Sequence, residues 1–323
     1  MHESTPHPTS RSALADLQRV LVFGGVSALL GAAMLWGRGH TAWALMVAVV
    51  VLFGHAWALG LEFALAAWVN RREAAATTKP SAWVRAWWRE VCVAPQVFAW
   101  RQPFRWQTLP DSAAPQKGAA VVLVHGFVCN RGFWLPWLRA LRERGTAYAT
   151  VNLEPVFGSI DSYVPQIEAA VRRAEWLGED KPVLVCHSMG GLAARAWLAA
   201  DPGHAARVQR VITIGSPHRG TWIGRFSRVA NGRQMRVDCD WLCQLAARER
   251  ELRGESPYER FVCWYADTDN IVFPAPTATL PGADNRLVPG AAHVDLAFHP
   301  RVMGESLAML ASAGNSPSER TVS

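Results

Sequence analysis

Charge is the first thing this sequence is short of. Only 18% of its 323 residues are Asp, Glu, Lys or Arg, while half are hydrophobic. That balance excludes a disordered or fibrous chain. The six cysteines form no CxxC pair and no metal-ligand series, which excludes a zinc framework and a disulfide scaffold. Cys239 and Cys243 lie four apart and would share a helix face, where packed thiols are expected before a bridge. The chain has no internal repeat. Its net charge of +7 does not read as a nucleic-acid surface. Residues 1–105 hold ten basic side chains against five acidic, whereas residues 106–323 hold twenty-three against twenty-one. Basic charge gathered beside long apolar runs points to a membrane surface.

Charge is wholly absent from Val20 to Gly37 and, after the break Arg38-Gly39-His40, from a second run ending at Leu61. Each run approaches the ~20 residues needed to cross a bilayer. Gly31-Ala32-Ala33 resembles a small-residue cleavage site, but a signal peptide does not account for two consecutive runs. The expectation is a transmembrane helical hairpin, Leu17–Trp36 and Ala42–Trp68, within residues 17–70 and preceded by a tail at 1–16. Glu62 is expected at the span boundary rather than on an ion path. Arg11 and Arg19 precede the hairpin, and Arg71, Arg72, Lys79, Arg85 and Arg89 follow it, while only Arg38 lies in the turn. The positive-inside rule then puts both ends, and the domain that follows, on the cytoplasmic side of the inner membrane. Residues 71–118 form a basic juxtamembrane segment, with Trp83, Trp87, Trp88, Trp100 and Trp106 as an interfacial belt, and a linker at Leu109–Gly118.

From Ala119 the pattern changes. Short apolar runs at Ala119–Val124, Ala147–Leu153, Val183–Cys186, Val208–Ile214 and Phe261–Tyr265 alternate with helical stretches such as Tyr163–Trp176 and Gly191–Ala200. This alternation predicts a parallel sheet covered by helices over 119–312, with a flexible tail at 313–323. In Pro182–Ala194, PVLVCHSMGGLAA, an apolar strand runs straight into an Ala-rich helix with Ser188 at the junction. That is a nucleophile elbow, with Cys186 where the first Gly of GxSxG usually stands.

Acyl transfer needs N–H donors for its oxyanion. The candidates are the backbone amides of Phe127, after the strand ending in His125-Gly126, and of Met189, after the serine. His125 itself reads as a structural turn residue. A serine also needs a base, and the base a carboxylate. Asp269, ahead of Asn-Ile-Val, is the first choice of acid and Asp267 the alternative. His293, in a small-residue loop, is the base; His299 reads as a helix cap, His187 as filler behind the elbow, and His218 as a loop-shaping residue.

VLVHGF…W, CHSMGG, TIGSPHRGT, DNIV and AAHVDL, in this order, resemble bacterial lipases and esterases of the α/β-hydrolase superfamily over roughly residues 119–310. The resemblance implies an α/β-hydrolase fold and carboxylic-ester hydrolysis, with Ser188 as nucleophile, Asp269 as acid and His293 as base. It also makes residues 221–258 a candidate lid, against a solvated helix pair. Some such lipases bind calcium through an Asp near the catalytic His, as Asp295 is, but no full ligand set accompanies it, so no metal or cofactor is expected. The expected partners are a lipid or small ester substrate and the bilayer, not nucleic acid. A thioesterase or polyester depolymerase would use the same triad, and a non-catalytic membrane scaffold would show a broken one.

Overall fold

The computed structural model describes residues 12–71 and 78–313. Positions 1–11 of the tail assigned to 1–16, with Arg11, lie outside the described residues, as do Arg72 and the terminal tail after Ala313. Helix α1 spans Ala13–Gly37 and begins at Ser12, whose hydroxyl accepts from the Ala15 amide. Helix α2 spans Thr41–Asn70, and the turn between them uses Gly39 at φ +85°, a conformation suited to glycine. Both helices are long and apolar enough to cross a membrane by length and composition, and only 6% of each apolar window is buried. The exposed apolar stretch runs from about Val20 to Trp36 in α1 and from Trp43 to Leu61 in α2. At 1.5 Å per residue each stretch is about 25–30 Å long, close to the thickness of a bilayer's hydrocarbon core.

Helix α3 (Pro80–Pro95) continues through a π-helical turn, Gln96–Arg101, into the short α4 (Gln102–Phe104). Six strands follow: β1 Gln116–Val124, β2 Tyr148–Thr150, β3 Gly178–His187, β4 Arg210–Ile214, β5 Phe261–Tyr265 and β6 Asp284–Leu287. They form one parallel sheet in the order β2-β1-β3-β4-β5-β6. The expected parallel sheet is therefore present. Strand β6, Asp-Asn-Arg-Leu, is additional to the sequence reading: it is a polar edge strand with no apolar run to announce it.

The sheet is buried on both faces because its strands alternate between two apolar layers. In β1, Ala120, Val122 and Val124 enter one core, while Ala119, Val121 and Leu123 enter the other. Helices α5 (Leu135–Glu143), α11 (His293–Phe298) and α12 (Pro300–Ala313) cover the second face. Helices α6 (Val164–Leu177) and α7 (Met189–Leu198) cover the first, with the short α8 (His204–Arg207) after them.

Residues 221–258 comprise a 3-10 turn at Trp222–Phe226, then α9 (Ala230–Gln234) and α10 (Asp240–Arg253). Helix α10 is fixed to the body through Leu242, which joins the first core, and through a buried ion pair between Glu249 and Arg195 of α7 at 2.6 Å. Tyr258 donates to Glu249 at 2.6 Å and accepts from Arg195 at 3.0 Å. Cys239 and Cys243 are free thiols turned to different carbonyls, those of Gln234 and Asp238.

The hairpin is not set apart from this body. At its base, Gln18 donates to Gln102 and Arg19 to the Pro103 carbonyl. The last two turns of α2 pack Phe63 on Ala292, and Ala66 and Val69 on Phe273. Asn70 accepts from the Ala275 amide.

Removing Glu249 would leave the Arg195 guanidinium buried without its counter-charge. We expect Glu249→Ala to cost about 3–5 kcal/mol, read as a lowered urea midpoint in detergent. A loss below about 1 kcal/mol would show that Arg195 finds other partners.

Candidate active site

The three residues singled out as nucleophile, acid and base lie after β3, β5 and β6, at the carboxyl end of a parallel sheet, where such sheets open their crevice. Ser188 sits between β3 and α7 with φ +54° and ψ −128°. The turn is held by its amide, which donates to the Ile214 carbonyl. It fits only because its surroundings are small. A Cβ on Gly190 would clash with the Val124 carbonyl oxygen, and one on Gly191 with the Ser216 hydroxyl. Cys186 is buried in the first core below the turn, and its burial pushes the thiol pKa up, so it stays a neutral space-filler.

The Ser188 hydroxyl lies 3.0 Å from His293 Nε2, and His293 Nδ1 lies 2.9 Å from Asp269 Oδ2. The Nδ1–H donates to the carboxylate, which leaves Nε2 free to accept from the serine. All three residues are buried. Burial would lower the His293 pKa, but the Asp269 carboxylate outweighs it and raises the pKa above the ordinary value, with Glu90 and Glu62 adding to the rise. The other Asp269 oxygen accepts from the amides of Ile271 and Val272 at 2.8 and 2.7 Å, so the carboxylate cannot swing away.

Asp267 is elsewhere. It accepts from Thr78 at 2.9 Å and from the Gly290 amide at 2.7 Å, tying the acid loop to the loop ahead of His293. His299 accepts from the Arg301 amide beside α12. His187 stacks on Phe133 and contacts the His293 carbonyl oxygen at 3.1 Å; burial holds its pKa well below the ordinary value. His218 lies against the Thr213 hydroxyl, and its own carbonyl accepts from Arg195.

The loop after β1 passes close to the serine. A Cβ on Gly126 would lie 2.8 Å from Ser188 Cβ, so only glycine lets this loop approach. Val128, two residues on, has φ +52°, which is strained for a β-branched residue. The loop is fastened by His125: Nε2 accepts from the Leu153 amide at 3.1 Å, which leaves Nδ1–H to donate to the Gly126 carbonyl at 2.9 Å. The Phe127 amide thus comes from a fixed loop beside the serine. The Met189 amide is in the first turn of α7, where amides lack an intrahelical acceptor. Phe127 also packs edge-on to the exposed Phe157.

Sequence reasoning missed the groups behind His293. Asn270 accepts from the His293 amide at 3.2 Å and donates to Glu62 of α2 at 2.8 Å. Glu90 of α3 accepts from the amides of Val294 and Asp295 at 3.0 Å each. A signal for Glu90 existed: it falls on the helical stripe Trp83, Ala86, Glu90, Val93 and Val97, where every other member is apolar. Asp295 faces Arg89 at 3.8 Å. Among the described residues no group of three or more His, Cys, Asp and Glu side chains could hold a metal ion.

A serine on a strained elbow, its hydroxyl hydrogen-bonded to a carboxylate-backed imidazole, is equipped for attack on a carbonyl carbon. The family model described as "Alpha/beta hydrolase family" matches residues 121–305. The fold is similar to that of mature Bacillus licheniformis lipase BlEst2, at 16% identity and a TM-score of 0.52, over 62% of this chain and 95% of that one. Aspergillus fumigatus lipase B is 16% identical with a TM-score of 0.47, over 61% and 53% of the two chains. Paleococcus ferrophilus monoacylglycerol lipase is 13% identical with a TM-score of 0.44, over 62% and 96%. No curated protein matches the chain.

His125 gives the site a pH signature. Burial lowers its pKa to about 4, so between that value and its ordinary 6.5 the unfolded chain binds more protons than the folded one. Its contribution to stability is complete above pH 6.5 and is lost as the pH falls towards 4, about 3 kcal/mol in all. We expect His125→Gln, whose amide can make the same two bonds, to remove one proton's share from the acid slope of urea midpoint against pH. An identical slope in the variant would show that His125 does not titrate with unfolding.

Proposed function

Because the chain belongs to the alpha/beta hydrolase family, we propose that it is a membrane-anchored serine ester hydrolase acting through Ser188, His293 and Asp269. The observation that carries this reading is the unbroken run of hydrogen bonds from Ser188 through His293 to Asp269 on a strained elbow. In the reaction, the Ser188 oxygen bonds to the ester carbonyl carbon while its proton passes to His293 Nε2. The amides of Phe127 and Met189 receive the oxyanion. Asp269 meets the positive charge on the imidazole. The intermediate then releases the alcohol, which takes the proton from His293. Water attacks the acyl-enzyme with its proton going to His293, and the acid leaves as Ser188 recovers its hydrogen.

The anchor in this reading is the α1–α2 hairpin, crossing the inner membrane twice. Its support is the exposed apolar length of each helix and the basic side chains at the hairpin's base, Arg19, Arg71, Lys79, Arg85 and Arg89, against Arg38 alone in the turn. Those charges favour a cytoplasmic hydrolase domain, which begins with β1 at Gln116 rather than at the expected residue 119. Of the five Trp read as an interfacial belt, Trp88 and Trp100 are exposed near the base, together with Trp68 and Phe226, as aromatic residues at a headgroup layer would be. Trp106 is instead buried, and Trp83 and Trp87 pack into the body. A lipid or a membrane-dissolved ester is the substrate class that fits a site so close to this surface.

Hydrolysis of short- and long-chain p-nitrophenyl esters by the full-length protein in detergent tests the chemistry. Ser188→Ala is expected to lose at least about a thousandfold in kcat, and equal activity in both proteins would sink the assignment. For topology, green fluorescent protein fused after Val322 should fluoresce and alkaline phosphatase there should be inactive. An active phosphatase would reverse the orientation.

A further inference from the structure

The helix that carries His293 starts without a cap of its own. Its N-cap position is Ala292, which has no side chain able to accept a hydrogen bond, and alanine is among the poorest residues there. The first-turn amides of a helix have no acceptor within it, and buried amides without one are costly. In α11 these amides are met from two other elements. Asn270, on the acid loop, takes the His293 amide. Glu90 of α3 takes both the Val294 and the Asp295 amides.

Glu90 is fully enclosed, 2% exposed, at a position on α3 that packing would give to an apolar side chain. Burial pushes its pKa up to about 7, opposed by the two amide bonds, so the group is kept there against a desolvation cost. An apolar residue at this position could not accept from the two amides. A carboxylate at the N-terminus of α11 meets its unpaired donors and its positive dipole end together. The helix is pinned from its other side as well, where the Trp137 indole donates to the Ala297 carbonyl at 2.8 Å.

We propose that Glu90 is a positioning residue for His293: it is the missing N-cap of α11, supplied by the segment that follows the hairpin. The inference rests on the serine-hydrolase reading above. His293 is the first residue of α11, and its ring bridges two contacts of 3.0 and 2.9 Å. A shift of the first turn displaces Nε2 from the serine hydroxyl without touching the substrate surface. The loss therefore falls on kcat and leaves KM in place.

The test uses the full-length protein purified in detergent, with Ser188→Ala, Glu90→Ala and Glu90→Gln assayed on p-nitrophenyl butyrate beside melting curves. We expect Glu90→Ala to lower kcat about ten- to a hundredfold with KM within about twofold. Glu90→Gln should recover part of the loss, because its amide oxygen still accepts one of the two bonds. A wild-type kcat in Glu90→Ala overturns the proposal, and so does a loss carried by KM. Where Glu90→Ala does not fold, Glu90→Gln decides: lowered kcat at unchanged KM supports the role, and wild-type kcat overturns it. Activity surviving in Ser188→Ala overturns the ester-hydrolase reading itself, an outcome separable from either result at Glu90.

Discussion

A buried imidazole works as a base only when its ring is held still and the charge it takes up is met. Under the proposed reading, in which His293 is that base, much of this structure converges on the requirement. Asp269 receives Nδ1–H, and two backbone amides prevent the carboxylate from turning. Asn270 and Glu90 take the amides of the turn on which His293 sits. His187 packs against the same ring from the elbow side, and its lowered pKa keeps it neutral, so it adds no repelling charge. The sheet's contribution is to deliver these pieces to one edge, since a parallel arrangement brings every strand's carboxyl end to the same side.

Of the three positive-φ non-glycine residues among those described, Ser188 and Val128 lie at the candidate site and Asp238 in an exposed loop. Ser188 and Val128 hold positive φ values, which non-glycine residues avoid, and they flank the point where Gly126 lets the β1 loop approach the serine. Each such residue costs of order 1–3 kcal/mol. Tight packing beneath offsets it: all ten residues of α7 are buried, and Arg195 within it is bonded to Glu249, Tyr258 and the His218 carbonyl.

The sequence made the sheet, the elbow and the apolar hairpin legible because each rests on a local pattern. Strand β1 alternates between two cores, the serine sits where a strand meets a helix, and α1 and α2 show unbroken apolar runs. Ser188, Asp269 and His293 could be named from their neighbours in the chain, and the structure brings their side chains together. Strand β6 was hidden because an edge strand with polar side chains resembles a loop. The tie of Glu90 to the site, and of Glu62, which reads from sequence as a span-boundary residue, was hidden for a different reason. Their partners lie more than two hundred positions away, and a Trp-rich helix after an apolar hairpin reads as a surface element. Only the tertiary fold shows that α3 is an inner wall of the site.

Helix α2 runs without interruption from Thr41 to Asn70. Leu61, 75% exposed, and Glu62, bonded to Asn270, are consecutive residues of it. The same helix therefore projects its apolar length outward and, one residue further on, braces the loop that holds Asp269, since Asn270 joins Glu62 to the His293 amide.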